Sequence, residues 1–179
     1  MTRARSILVA GVGNLLMTDD GLGCHLAAAL KPCAPPGVKV VDIGTSVIHL
    51  LGDLEQADAV LFLDAFFGGG IPGSMYLLDA RELLVPRTHA SLHDVGIAEA
   101  LRELAPAHLN KPLVLFGVEP AILDYGMELS RTLTQVFPTI LETVQGVLNR
   151  MGRGDILTPA GPETLQDSSF QTTTLEHST

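Results

Sequence analysis

Ser6-Ile7-Leu8-Val9-Ala10-Gly11-Val12-Gly13-Asn14-Leu15-Leu16-Met17-Thr18-Asp19-Asp20-Gly21-Leu22-Gly23 is the stretch on which the fold turns. Residues 6–10 form a continuous apolar run closed by Gly11, the pattern of a strand buried on both faces. Leu22, Leu26, Ala29 and Leu30 then recur at helical spacing, until Pro32, Pro35 and Pro36 forbid continuation. The segment reads as strand, glycine loop and helix. Arg3 and Arg5 ahead of the apolar run give it a superficial likeness to a secretion signal, but glycines and the Asp19-Asp20 pair follow without a small-residue cleavage site.

The same alternation continues along the chain. Val38 to Val41 is a second strand ending at Asp42-Ile43-Gly44-Thr45, and Thr45 or Ser46 can cap a short helix through Leu54. Ala59 to Leu63 is a buried run terminated by Asp64, and Gly68-Gly69-Gly70 with Pro72-Gly73 is turn material. Ser74 to Leu78 reads as an additional strand whose pairing the residues leave open, an antiparallel edge position being one option. Arg81 to Pro86 leads into a loop that presents Ser91-Leu92-His93-Asp94, followed by a helix from Val95 to Leu104. Pro112 to Val118 is a strand with a starting proline, where the missing N–H matters least. Ser130 caps a helix running to Arg150, with Leu133, Val136, Phe137, Ile140, Leu141, Val144 and Leu148 on one face and Pro138 as a candidate kink.

Strands alternating with helices predict a three-layer α/β/α sandwich around a mostly parallel twisted sheet of about five strands. Residues 1–151 are expected to form this domain. The Gly-, Pro-, Ser- and Thr-rich stretch 152–179 is expected to be a flexible C-terminal tail.

The totals exclude several classes. Of 179 residues, 46% are hydrophobic and 17% charged, without an apolar run long enough to cross a bilayer, so membrane insertion is not expected. A net charge of −9 with no basic patch argues against nucleic acid as a partner. Acids in excess suit a basic protein partner or a cation, though they also serve solubility alone. Cys24 and Cys33 are the only cysteines and are too far apart for a CxxC motif, which suits a reducing cytoplasm.

Sites in parallel sheets gather at the strands' C-terminal ends. Asp20, Asp64 and His93 all fall after or beside such ends. Two carboxylates and a neutral imidazole supply three donors and two negative charges to a divalent ion, with positions left open for substrate or water. Each residue alone has a blander reading: a helix-start acid for Asp20, a turn former for Asp64, a solvated loop residue for His93. Gly11-x-Gly13 between strand and helix also invites a nucleotide-binding reading. The third glycine is missing, however, position 16 being Leu, and two aspartates stand where a pyrophosphate would sit.

Gly11 to Gly23 resembles the opening signature of the hydrogenase maturation proteases. Asp42-Ile43-Gly44-Thr45, Leu63-Asp64-Ala65, Ser91-Leu92-His93-Asp94, Phe116-Gly117-Val118-Glu119-Pro120 and Leu129-Ser130 resemble further blocks of that family in the same order. The resemblance implies a cytoplasmic endopeptidase that removes the C-terminal extension of a nickel-iron (NiFe) hydrogenase large-subunit precursor after nickel insertion. It implies Asp20, Asp64 and His93 as metal contacts and catalytic residues, with nickel supplied by the precursor and other divalent metals able to occupy the site. Asp42, Gly44 and Thr45 match a substrate-selecting loop in which the second position is often Gly and here is Ile43. A precursor-binding module without catalysis, or a nucleotide-binding module, are the alternatives. Cys24 and Cys33 carry no reactive-cysteine signature, and Glu119 fits an ion pair or turn role at least as well as catalysis.

Overall fold

The computed structural model describes residues 5–85 and 92–155, with only the backbone described at residues 47, 48 and 92–95. Five strands, β1 (Ile7–Val12), β2 (Val38–Gly44), β3 (Ala59–Ala65), β4 (Met75–Asp79) and β5 (Leu113–Val118), form one sheet. Their order is β2-β1-β3-β5-β4. All pairings are parallel except β4 with β5, so β4 is an antiparallel edge strand, one of the positions the sequence leaves open for it.

Among the described residues four α-helices, α1 (Leu22–Leu30), α2 (Leu51–Gln56), α3 (Leu92–Glu103) and α4 (Arg131–Arg153), cover the sheet. β1, β3 and β5 are buried along their whole lengths, which is why they read as unbroken apolar runs. One core joins Leu8, Val60, Phe62 and Leu115 to Leu54 of α2 and to Ile97 and Leu101 of α3. The other joins Val9, Leu61, Leu63 and Phe116 to Leu26 of α1 and to Leu133, Ile140 and Val144 of α4. These are the three expected layers. No described helix is long and apolar enough to cross a membrane.

Three boundaries differ from expectation. The helix after Thr45 is delayed: Gly44 takes a left-handed φ of +54° and Ser46 N–H donates to Ile43 O at 3.2 Å. That turn gives way to a 3-10 turn, Val47–Leu50, before α2. α3 begins at Leu92 rather than Val95, since no glycine or proline separates them; Leu92, His93 and Asp94 are therefore helical, while Ser91 lies outside the described residues. α4 continues past residue 151 to Arg153, where Gly154 in the left-handed region ends it as a C-cap. The remainder of the expected tail, residues 156–179, lies outside the described residues.

Candidate active site

The strand order places β1 between β2 and β3, so the chain winds one way from β1 to β2 and the other way from β2 to β3. Open α/β sheets form a crevice where the winding reverses, outside the strands' C-terminal ends. Here that point is between β1 and β3. A Cβ on Gly23, in the first turn of α1, would stand 2.0 Å from Leu63 O and 2.2 Å from Val12 O, so only glycine lets the helix start sit on both strand ends. A Cβ on Gly13, whose φ is +144°, would stand 2.1 Å from Asp20 O. The glycines thus draw the loop against the sheet and bring Asp20 to the crevice, a role unrelated to phosphate binding.

Asp20 lies in the 3-10 turn Thr18–Gly21, half-buried, and this turn packs against β3. Asp64 is the penultimate residue of β3 and only 1% exposed; its Oδ1 accepts from Ala65 N–H at 2.8 Å. His93 is the second residue of α3. The end of α3 lies at the opposite edge of the sheet, because Arg102 donates to Leu84 O and Leu113 opens β5 ten residues after Glu103. A helix of this length spans about 18 Å, which puts its beginning, and the backbone of His93, near the C-terminal edge. Among the described residues no three His, Cys, Asp or Glu side chains form a cluster able to hold an ion. The imidazole of His93 lies outside that description.

Asp42, Gly44 and Thr45 flank the crevice on the β2 side. Asp42 Oδ1 accepts from Gly44 N–H at 3.0 Å, and Gly44 O accepts from Gly13 N–H at 2.9 Å, which couples this loop to the glycine loop. Asp42 and Thr45 are exposed. Cys24 is buried beneath, donating to Gly13 O at 3.5 Å. Burial first, then its hydrogen bond and proximity to Asp42, and lastly the charge of Asp64 push its thiol well above the ordinary range. It stays a neutral thiol and is unsuited to be a nucleophile, as expected.

The division of labour within the aspartate pair is new. Asp19, fully buried, accepts from Ala121 N–H at 2.9 Å, Ile122 N–H at 3.0 Å and Ser130 N–H at 2.7 Å. Thr18 adds a hydroxyl bond to Ile122 O at 2.7 Å from a left-handed φ of 44°, and Met17 pairs with Gly126 in a parallel bridge. The loop after β1 is thereby stapled to the loop after β5. Glu119 plays a matching part: its Oε2 accepts from Gly68 N–H, Gly70 N–H and the Tyr76 hydroxyl, fixing the loop after β3. The sequence signal for these anchors is acids set in loops otherwise built from glycine and apolar residues.

Of the histidines, His25 is half-buried, and its Nε2 has no hydrogen-bond partner among the described residues. His49 is exposed and His108 half-buried, while His89 and His177 lie outside the described residues.

A family model described as hydrogenase maturation protease matches residues 24–147. Asp64 and His93 fall within the match and Asp20 four residues before it. The chain is 34% identical over 151 residues to the hydrogenase 2 maturation protease of Escherichia coli, covering 82% of this chain and 92% of that one. It is 31% identical over 166 residues to the hydrogenase expression/formation protein HupD of Rhizobium leguminosarum bv. viciae, covering 88% and 81%. Among solved structures, the hydrogenase maturating endopeptidase HybD from E. coli superposes with a TM-score of 0.72 at 32% identity, over 82% of this chain and 94% of that one.

Proposed function

The chain belongs to the hydrogenase maturation protease family, and from this we propose that it removes the C-terminal extension of a NiFe hydrogenase large-subunit precursor once nickel has been inserted. The observation that supports the site is the packing of Asp20's turn against β3, the strand that ends beside Asp64, with the beginning of α3 near the same edge of the sheet. A carboxylate as buried as Asp64 is costly to ionise unless cations or hydrogen bonds balance it. Nickel is part of the substrate in this reading. Asp20 and Asp64 would present their oxygens to it, and His93 its neutral imidazole, so that the three residues test whether the precursor is loaded.

Peptide hydrolysis by water needs a water oxygen attacking the scissile carbonyl, a cation or hydrogen-bond donor polarising the carbonyl oxygen, and a group to take the water's proton and pass it to the leaving amine. Asp20 and Asp64 are the candidate proton carriers. The exposed Asp42 to Thr45 loop, held in shape by the Asp42–Gly44 bond, stands beside the crevice as the surface that selects among precursors. Two free cysteines suit the cytoplasm as the place of action.

The test is to incubate the purified protein with nickel-loaded and with nickel-free precursor and weigh the products by mass spectrometry. Loss of the extension from the loaded form alone is the expected result. Equal cleavage of both would remove nickel from the recognition step, and a stable complex with no cleavage of either would make the chain a precursor-binding module.

A further inference from the structure

Among the described residues, every exposed large apolar side chain except Val85 lies on one of the loops that leave the C-terminal ends of β1, β3 and β5. Leu16 is 59% exposed, Met127 66% and Tyr125 87%, with Leu15, Ile122 and Leu123 beside them in sequence. Apolar groups gathered at one edge of a soluble fold mark a contact surface, whereas the same residues scattered singly would mean nothing. The loops after β1 and β5 are also one body: Gly126 N–H donates to Leu16 O at 3.0 Å, Thr18 N–H to Gly126 O at 2.7 Å and Asp19 N–H to Ile122 O at 3.3 Å.

Charge narrows the occupant. Residues 11–21, 65–74 and 119–130 contain no Lys, Arg or His. Of their acids, Asp19 and Glu119 are buried and engaged by backbone N–H groups. Asp20 is half-buried, and Asp124 and Glu128 are exposed. An apolar face whose own loops carry acids and no Lys, Arg or His fits a protein surface that is itself apolar and rimmed by Lys or Arg.

We infer that the surface made by Leu15, Leu16, Ile122, Leu123, Tyr125 and Met127 is the docking face for the folded part of the precursor that flanks the scissile bond. The inference rests on the proposed function for the partner's identity and on the exposed loops for its location. Continuity is the link, since Asp19 anchors this face at one side and Asp20, its chain neighbour, reaches the crevice on the other. Because hydrogen bonds already hold the two loops, little ordering cost is left to be met on binding, and the exposed aromatic and thioether groups can act as anchors.

The experiment compares wild type with Tyr125→Ser and with a triple variant, Leu16→Ser, Tyr125→Ser and Met127→Ser, on nickel-loaded precursor, alongside thermal melts to confirm folding. The triple variant is expected to raise KM about tenfold or more while kcat changes less than about twofold, and Tyr125→Ser alone to raise KM about threefold. Asp124→Lys with Glu128→Lys is expected to weaken binding and to flatten its salt dependence. An unchanged KM in the triple variant, with its fold intact, overturns the inference. So does a wild-type dimer in light scattering that Tyr125→Ser dissociates, because the face would then serve a second copy of this chain. If wild type cleaves no precursor, the proposed function fails separately. Calorimetric binding of the precursor to wild type and triple variant then decides the docking face on its own: a weakened variant supports it, equal affinity defeats it.

Discussion

At the N-terminal edge of the sheet long cations finish the helix ends, whereas at the C-terminal edge acids and glycines hold the loops and apolar side chains stand in solvent. Lys111 Nζ reaches the carbonyl oxygens of Leu54 and Ala57 at the end of α2. Arg5 reaches Met151 O in the last turn of α4, and Arg81 bonds both Asp79 and Leu109 O. Each places positive charge on carbonyls at the negative end of a helix or turn. At the other edge, Asp19 and Glu119 do the converse, gathering backbone N–H groups. One edge is closed. The other is held rigid yet left open, as expected where a substrate must enter.

The sharpest way to break the comparison is to remove chemistry from the open edge without touching its scaffold. His93→Ala and Asp64→Asn are each expected to reduce precursor cleavage about a thousandfold or more, close to 4 kcal/mol of barrier, with melting temperature changed by only a few degrees for His93→Ala. Mass spectrometry of the large subunit reads the loss. Normal processing by His93→Ala would reject its place in the site.

Asp19→Ala attacks the scaffold of the same edge. Three N–H groups, that of Ser130 buried and those of Ala121 and Ile122 partly buried, would lose a carboxylate acceptor, at about 1 kcal/mol each, so a loss of about 3 kcal/mol and a melting point lower by on the order of 10 °C are expected. Cleavage should fall as well, since Asp20 shares the untied turn. Asp19→Asn, which keeps one acceptor oxygen, should recover part of both. Equal stability of Asp19→Ala and wild type in a urea titration would mean that the loop after β5 is held by other contacts.

At the closed edge, Lys111→Met should cost about 1–2 kcal/mol through the exposed end of α2 and leave cleavage at the wild-type rate. A change in KM for this variant would show that the two edges are not independent.

Much of this contrast was legible in the residues themselves. Leu22 to Leu30 is legible from the prolines that follow it, and the buried part of β3 from the apolar run that Asp64 interrupts. The pattern could not say which of Asp19 and Asp20 faces inward. That depends on N–H donors at Ala121, Ile122 and Ser130, more than a hundred residues away, and a local reading has no access to them. The strand order was equally hidden, since alternation fixes parallel pairing without fixing on which side of β1 the third strand falls. The start of α3 differs by three residues from the expected Val95, since nothing between Leu92 and Val95 breaks a helix and the segment expected as a loop is helical.

The smallest expected effect separates the edges through the two thiols. Cys24 is buried at the open edge, and its thiol is pushed up by burial, by Asp42 and by Asp64, whereas Cys33 is exposed just beyond the far end of α1. At pH 8, mass mapping after brief alkylation should find label on Cys33 and none on Cys24. The folded state keeps the Cys24 proton above the pH at which the unfolded chain releases it. The unfolded state therefore binds fewer protons there, and stability must fall as pH rises. The contribution is complete below the ordinary thiol value of about 8.5 and should decline by about 1 kcal/mol by pH 9.5. Cys24→Ala should flatten that alkaline limb. If the limb is unchanged in Cys24→Ala, burial at the open edge does not hold the proton on this thiol.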